Sequence, residues 1–389
     1  MLQPFQSGNT LVAPDLSPRV GVRHPSEPAS RSLGARPRPD TRWLDVLRIV
    51  AIVGVVAIHV VGGATKHSGT GWHPAGWWAA NAVNSACLWV VPVFVMASGA
   101  LLLDPSRSES ASEFYRRRLA RVGPALLFWT ALYLWWKVWF NGEHMTWTSA
   151  GHDLAAGDPY LQVYFLYVIV GLYAITPVLR RLLAHLGRRE TVMLTAGALG
   201  FSVLELTVRD FGHAGGVNAV TRFVPFVGYY LAGHLLRQFA LSQRVIRYAP
   251  AAALGGWLVT ALGSAALAAH FGWNHIGFYL YDYLSPSVIV MSLGVFITAR
   301  VHVARLLDRA AWLTRSRLRT AGAATFGVFL IHPLLLFPIM RALGLYDGIE
   351  HEMGRLALTA IPLAIVISLV TGWLALQLSR IPVVRRIVL

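Results

Sequence analysis

Along this chain, ten stretches of mostly apolar residues alternate with short polar connections. They lie near 43–63, 77–103, 118–140, 160–179, 191–207, 219–236, 249–269, 285–304, 322–341 and 358–379. A run of about twenty apolar residues is long enough to cross a bilayer as a helix. The pattern therefore predicts an all-α, polytopic integral membrane bundle of about ten transmembrane helices. The fifth window is short, and the second is long enough to tilt or to extend beyond the bilayer. The first forty or so residues break the pattern: PSEPASRSLGARPRPD is rich in Pro, Ser and Arg and lacks an apolar core. Such a segment has too little apolar surface to repay ordering. The expected organisation is a disordered tail over 1–41, a membrane domain over 42–380 and a short basic tail over 381–389. No signal-peptide core precedes the first span, which is expected to stay as an anchor.

Composition supports the membrane assignment. The chain is 55% hydrophobic and 13% charged, whereas a soluble domain carries roughly 25% charged residues. Its 14 tryptophans suit aromatic belts at two membrane interfaces. The net charge of +16 raises the question of nucleic acid, but the distribution of Lys and Arg answers it. Twenty-seven of them fall in the N-terminal tail and in the segments 107–121, 180–189, 237–247, 300–319 and 380–386. Only five, Lys66, Arg209, Arg222, Arg341 and Arg355, fall on the opposite side. Cytoplasmic loops carry the positive excess, so the split predicts cytoplasmic termini, an even number of spans and the plasma membrane as location. The single cysteine, Cys87, rules out an intramolecular disulfide and a cysteine-based metal cluster. His144 and His152 in the longest outer loop lack convincing partners, and no metal is expected.

The first span holds the chemistry that a plain anchor would not need. RWLDVLRIVAIVGVVAIHV places Asp45, Arg48 and His59 on an otherwise apolar helix. Ionisable side chains at membrane depth are costly and mark functional sites by default. Eleven residues separate Arg48 from His59, which returns the side chains to within about 20° of one another, about 16 Å apart along the axis. Asp45 lies within about 60° of the same direction. The result is a polar stripe running inward from the basic end. Its structural alternative is an Asp45–Arg48 pair at the interface and a histidine bonded to a neighbouring helix.

An aspartate followed by Arg-x10-His in the first span resembles the membrane-bound acyltransferase family 3. That resemblance implies an O-acyltransferase that moves an acyl group, acetyl or another short acyl, from acyl-CoA to a hydroxyl of a carbohydrate or related acceptor. It implies no resident cofactor, acyl-CoA being the co-substrate. In the family the arginine and histidine are the pair most closely tied to activity. Arg48 suits the anionic end of the donor, His59 suits a general base, and Asp45 balances Arg48. Further stretches resemble family elements in order. Phe94-Val95-Met96-Ala97-Ser98-Gly99 matches a Phe-Phe-x-x-Ser-Gly element without its second aromatic, with small-residue helix packing as the alternative role. The basic segment FYRRRLAR places Arg118 and Arg121 on one helix face, suited to donor phosphates or to plain positive-inside anchoring. Tyr164 and Tyr167 in a Tyr-rich fourth span can line an acceptor pocket or simply pack. In FGVFLIHPLLL, His332 stands in the ninth span, to orient the acceptor, support His59 or brace the Pro333 kink.

The expected catalytic residues are thus His59, Arg48 and Asp45. Arg48, Arg118, Arg121 and Ser98 are expected at the donor, and His332, Tyr164, Tyr167 and Phe94 at the acceptor. The competing class is a transporter or flippase in which Arg48 and His59 bind and relay an anion, a proton or a sugar-linked substrate. No internal repeat is evident to favour it. A structural or sensory protein leaves the stripe unexplained.

Overall fold

Among the described residues, 40–66, 75–212, 216–273, 275–310, 312–345 and 349–388 of a computed structural model, every regular element is helical. Nearly all of the predicted N-terminal tail lies outside them. The helices are α1 (Arg42–Lys66), α2 (Ala75–Cys87), α3 (Val90–Leu102), α4 (Ala111–Trp139) and α5 (Trp147–Ala156). They continue as α6 (Tyr164–His185), α7 (Arg188–Gly212), α8 (Val227–Gln238), α9 (Gln243–Phe271) and α10 (His275–Phe278). The chain closes with α11 (Pro286–Thr298), α12 (Ala304–Arg309), α13 (Arg315–Ala342), α14 (Ile349–Leu378) and α15 (Pro382–Val388). Helix starts are marked by short hydroxyl side chains: Ser110, Ser242, Ser285 and Thr314 each accept a bond from the backbone N–H three residues on.

Among the described residues, eight stretches are long and apolar enough to cross a membrane: 42–63, 75–102, 164–185, 188–212, 243–271, 275–309, 315–342 and 353–378. Two of the ten predicted windows are absent from that set, for different reasons. The 118–140 window lies in α4, a 29-residue helix whose stretch beyond Arg121 holds Trp129, Tyr133, Trp135, Trp136, Lys137 and Trp139, which lower its mean hydropathy. The 219–236 window opens in turns around Asn218 and a short 3₁₀ stretch through Pro225, leaving only the 12 residues of α8. A helix of that length rises about 18 Å, short of the roughly 30 Å hydrocarbon core. The short basic C-terminal segment forms α15, which packs on α4 with Val388 2% exposed.

α1 occupies the middle of the bundle. Leu44, Ala51, Val56, Ala57 and Val61 are fully buried, and α2, α3, α13 and α14 pack around them. A helix so surrounded presents its polar stripe to protein and internal cavities rather than to lipid. α3 and α8 cross at backbone contact: a Cβ on Gly99 would lie 1.8 Å from the Tyr230 carbonyl oxygen, and one on Gly233 1.8 Å from that of Met96. The small-residue packing role expected for Ser98-Gly99 therefore falls to the glycine. Gly99→Val is expected to cost about 1–3 kcal/mol or more, because the backbone itself must move. Thermal unfolding in detergent reads the loss, and an unchanged midpoint would contradict the crossing.

α13 carries Pro333 and Pro338 inside the helix. Pro333 has no N–H for the Phe329 carbonyl and kinks the ladder there. The next carbonyl, Leu330 O, accepts the Tyr133 hydroxyl of α4 at 2.6 Å.

Candidate active site

The two ends of the α1 stripe open into two different cavities. At the N-terminal end, Arg48 pairs with Asp45 at 3.7 Å, with Asp45 seated against Gly322 of α13, where a Cβ would come within 2.9 Å of its carboxylate. Arg48 faces a cavity of about 300 Å³ that also receives Arg107, Arg118 and Arg121. Ser98 and Phe94 from α3, Tyr173 from α6 and apolar residues of α6 and α13 also line it. The Arg118 guanidinium lies 5.4 Å from the Phe114 ring centroid and 5.6 Å from that of Tyr173, and its Nε is buried without a hydrogen-bond partner. The Ser98 hydroxyl donates to the Phe94 carbonyl at 2.9 Å, which leaves its oxygen lone pairs as acceptors. Several guanidinium groups around one small cavity form a setting for phosphate or carboxylate.

At the other end, His59 lines a larger cavity of about 840 Å³ with Tyr164, Tyr281 and Asn84. Charge here is paired rather than of one sign. Arg209 bonds Asp282 at 2.7 Å and Asp210 at 3.0 Å, and Arg222 faces Asp158 at 3.6 Å while donating twice to the Ala156 carbonyl. Burial pushes the Asp158 carboxyl above the usual range, with Arg222 opposing the shift. The Tyr281 hydroxyl bonds the Asn81 side-chain oxygen, and the Arg222 guanidinium lies 5.9 Å from the Tyr164 ring centroid. Aromatic faces beside paired donors and acceptors suit a neutral, polyhydroxylated ligand better than a dense anion.

The two cavities share no lining residue. Three phenylalanines from three helices, Phe94, Phe165 and Phe329, line the Arg48 cavity and not the His59 cavity, in edge contacts of 6.4 Å (Phe94–Phe165) and 5.4 Å (Phe165–Phe329). His332, three residues beyond Phe329, is completely buried, and its ring centroid lies 5.2 Å from that of His59. Its Nδ1 lies 2.9 Å from the Val328 carbonyl, while Nε2 is buried without a hydrogen-bond partner. That carbonyl can only accept, so Nδ1 carries the proton and Nε2 presents a lone pair. Among the described residues no three His, Cys, Asp or Glu side chains converge as a metal-ion group.

A family model described as an acyltransferase domain matches residues 41–377. The chain belongs to acyltransferase family 3. Neither a curated protein nor a solved structure gave a significant match. With its membrane-crossing helices, this family 3 chain is a membrane acyltransferase. The matched region contains every lining residue of both cavities and nearly all the spans.

The structure brings together all four residues expected at the donor, Arg48, Arg118, Arg121 and Ser98, on one cavity. Phe94, grouped with the acceptor pocket from sequence, lines that same cavity. On the other side, Tyr164 lines the His59 cavity, whereas Tyr167 lines neither cavity and packs half-buried against the core. Sequence reasoning passed over Arg107, Tyr173, Asn84 and Tyr281, all wall residues. Arg107 sits in the loop after α3, where a lone arginine looks like any other positive-inside charge. Arg180, counted with a connecting loop, is instead inside α6 and 7% exposed, bonded to the Leu102 carbonyl at 2.6 Å and to Glu109 at 3.5 Å. Its guanidinium also lies 4.7 Å from the Phe114 ring centroid, so it braces the helices beside the basic cavity.

Proposed function

We propose that this membrane acyltransferase transfers a short acyl group from acyl-CoA to a hydroxyl of a carbohydrate or related acceptor. One observation carries the reading. Arg48 and His59, on a single rigid helix, open into two chambers of opposite character, one rich in arginine and one of paired charges and aromatic rings. The phosphates of the donor fit the Arg48, Arg107, Arg118 and Arg121 chamber, in which Tyr173 and Ser98 flank the arm. The acyl end then passes along the Phe94, Phe165 and Phe329 wall of that chamber toward His59. The acceptor occupies the 840 Å³ chamber.

The chemistry balances on these residues. His59 takes the proton of the acceptor hydroxyl as its oxygen attacks the thioester carbonyl carbon. The new C–O bond forms, the C–S bond breaks, and the leaving thiolate recovers the proton from the imidazolium. The His332 Nε2 lone pair accepts a hydrogen bond from the acceptor hydroxyl or the His59 ring, which holds either group in line. Asp45 keeps Arg48 turned toward the donor chamber. The cell membrane is the expected location, with the basic end on the cytoplasmic side where acyl-CoA is available.

The test is acyl-CoA turnover by the purified full-length protein in nanodiscs, reading free thiol release with and without a panel of sugar acceptors. Acyl-CoA binding at micromolar concentration and thiol release above the protein-free rate are expected. Absence of binding by any acyl-CoA would overturn the reading. Two chambers at opposite ends of α1 also suit a transporter of an anionic or sugar-linked substrate, and flux into proteoliposomes without thioester cleavage would establish that alternative.

A further inference from the structure

A second basic cavity lies outside the chamber that Arg48 faces. α15 is fixed to the bundle: the Trp129 indole donates to the Ile387 carbonyl at 2.7 Å, and Val388 is buried with its carbonyl against Gly327. Arg385 and Arg386 therefore project from a held helix rather than from a loose tail. Opposite them, α4 presents Arg117 and Arg121, and the turn between α14 and α15 adds Arg380 and Ser379. These side chains, with all the arginines exposed, line an open groove of about 470 Å³.

The charge in this cavity is unbalanced. Arg117 is neutralised by Glu109 at 3.2 Å and Glu113 at 2.5 Å. Arg121, Arg380, Arg385 and Arg386 make no ion pair among the described residues, and no carboxylate lines the space. Positive-inside anchoring explains why arginines lie at this end, but not why they converge around one volume. Four like charges gathered along one open groove repel one another and fall in energy when an anion binds there. Guanidinium forks on three sides, with a serine hydroxyl, match the oxygens of a phosphate, which arginine can engage bidentately.

We propose that this cavity binds a phosphomonoester or diphosphate group. Two sources share that chemistry: the nucleotide end of a CoA thioester and the headgroup of an anionic lipid. Arg121 lines both this cavity and the Arg48 chamber, which connects the two and favours the nucleotide. The site stands on its own residues; only the nucleotide assignment rests on the acyl-CoA reading.

Adenosine 3′,5′-bisphosphate, titrated into the full-length protein in phosphatidylcholine nanodiscs, tests the nucleotide arm. Native mass spectrometry of the protein with phosphatidylglycerol tests the lipid arm. Arg385→Gln/Arg386→Gln is expected to weaken bisphosphate binding by at least about tenfold, as loss of charge-assisted contacts implies. Arg305→Gln/Arg309→Gln, which removes charge at the same end but outside the cavity, is expected to leave binding unchanged. Both variants are checked by gel filtration and tryptophan fluorescence, and Arg385→Lys/Arg386→Lys, retaining charge, is expected to bind at an intermediate level. Unchanged nucleotide binding with selective loss of a retained phosphatidylglycerol would assign the same phosphate site to lipid. Equal behaviour of wild type and Arg385→Gln/Arg386→Gln toward both ligands would overturn the proposal. Bisphosphate binding that depends on these arginines, in a protein that neither binds nor cleaves acyl-CoA, would sink the acyl-CoA reading and leave this site standing.

Discussion

Replacing His59 by alanine is expected to lower acyl transfer by about 10²–10⁴-fold, the usual contribution of a positioned general base, while donor affinity changes little. The separation follows from the two cavities. His59 lines the acceptor-side chamber and shares no wall with the chamber that holds Arg48. Its removal therefore takes away the proton acceptor without touching the groups proposed to hold the donor. The ring also packs edge-on against Phe337 at 6.4 Å and beside His332 at 5.2 Å, so some stability will be lost with it. His59→Gln keeps most of that volume and separates the two effects: activity is expected to stay low while the thermal midpoint recovers. Free imidazole, small enough to enter an 840 Å³ chamber, is expected to restore part of the rate in His59→Ala. His59→Ala retaining wild-type kcat would remove the histidine from the chemistry.

Arg48→Ala is expected to act the other way, weakening acyl-CoA binding with a smaller effect on kcat once donor is saturating. A hydrogen bond to a charged group contributes about 1.5–3 kcal/mol, so a loss of roughly ten- to a hundredfold in donor affinity is expected. Part of any stability change belongs to Asp45, whose side chain is 17% exposed and would lose its 3.7 Å partner. Arg48→Ala combined with Asp45→Asn removes that orphaned charge. The double variant is expected to regain stability and not donor affinity, which isolates the role of the guanidinium. Titration of acyl-CoA into each protein reads the affinity. Equal affinity in wild type and Arg48→Ala would mean that the donor does not meet this end of α1.

Asp45, Arg48 and His59 were legible because the geometry of a membrane helix is regular: a bilayer offers the backbone no other partners, so the period of 3.6 can be trusted over eleven residues. The same regularity misled for Tyr164 and Tyr167. Three residues leave a difference of about 60°, enough for one ring to face the chamber and the other the core. Hydropathy windows located most spans but could not see that the 219–236 segment spends its first residues on turns and a proline. Nor could they tell a basic C-terminal tail from a helix locked on α4 by Trp129.

The sequence by itself determined the membrane-spanning helical class, the family, and the pairing of an arginine and a histidine on one stripe. These follow from local composition and spacing, which the bilayer translates into structure with little freedom. Only the tertiary structure decided that the stripe ends in two chambers, that Phe94, Phe165 and Phe329 from three helices meet in the wall of the Arg48 chamber, and that His332 stands beside His59. It also gathered arginines from α4, the α14–α15 turn and α15 along one open groove. Each of these is a meeting of residues far apart in the chain, set by how the helices pack, and no period along a single helix encodes it.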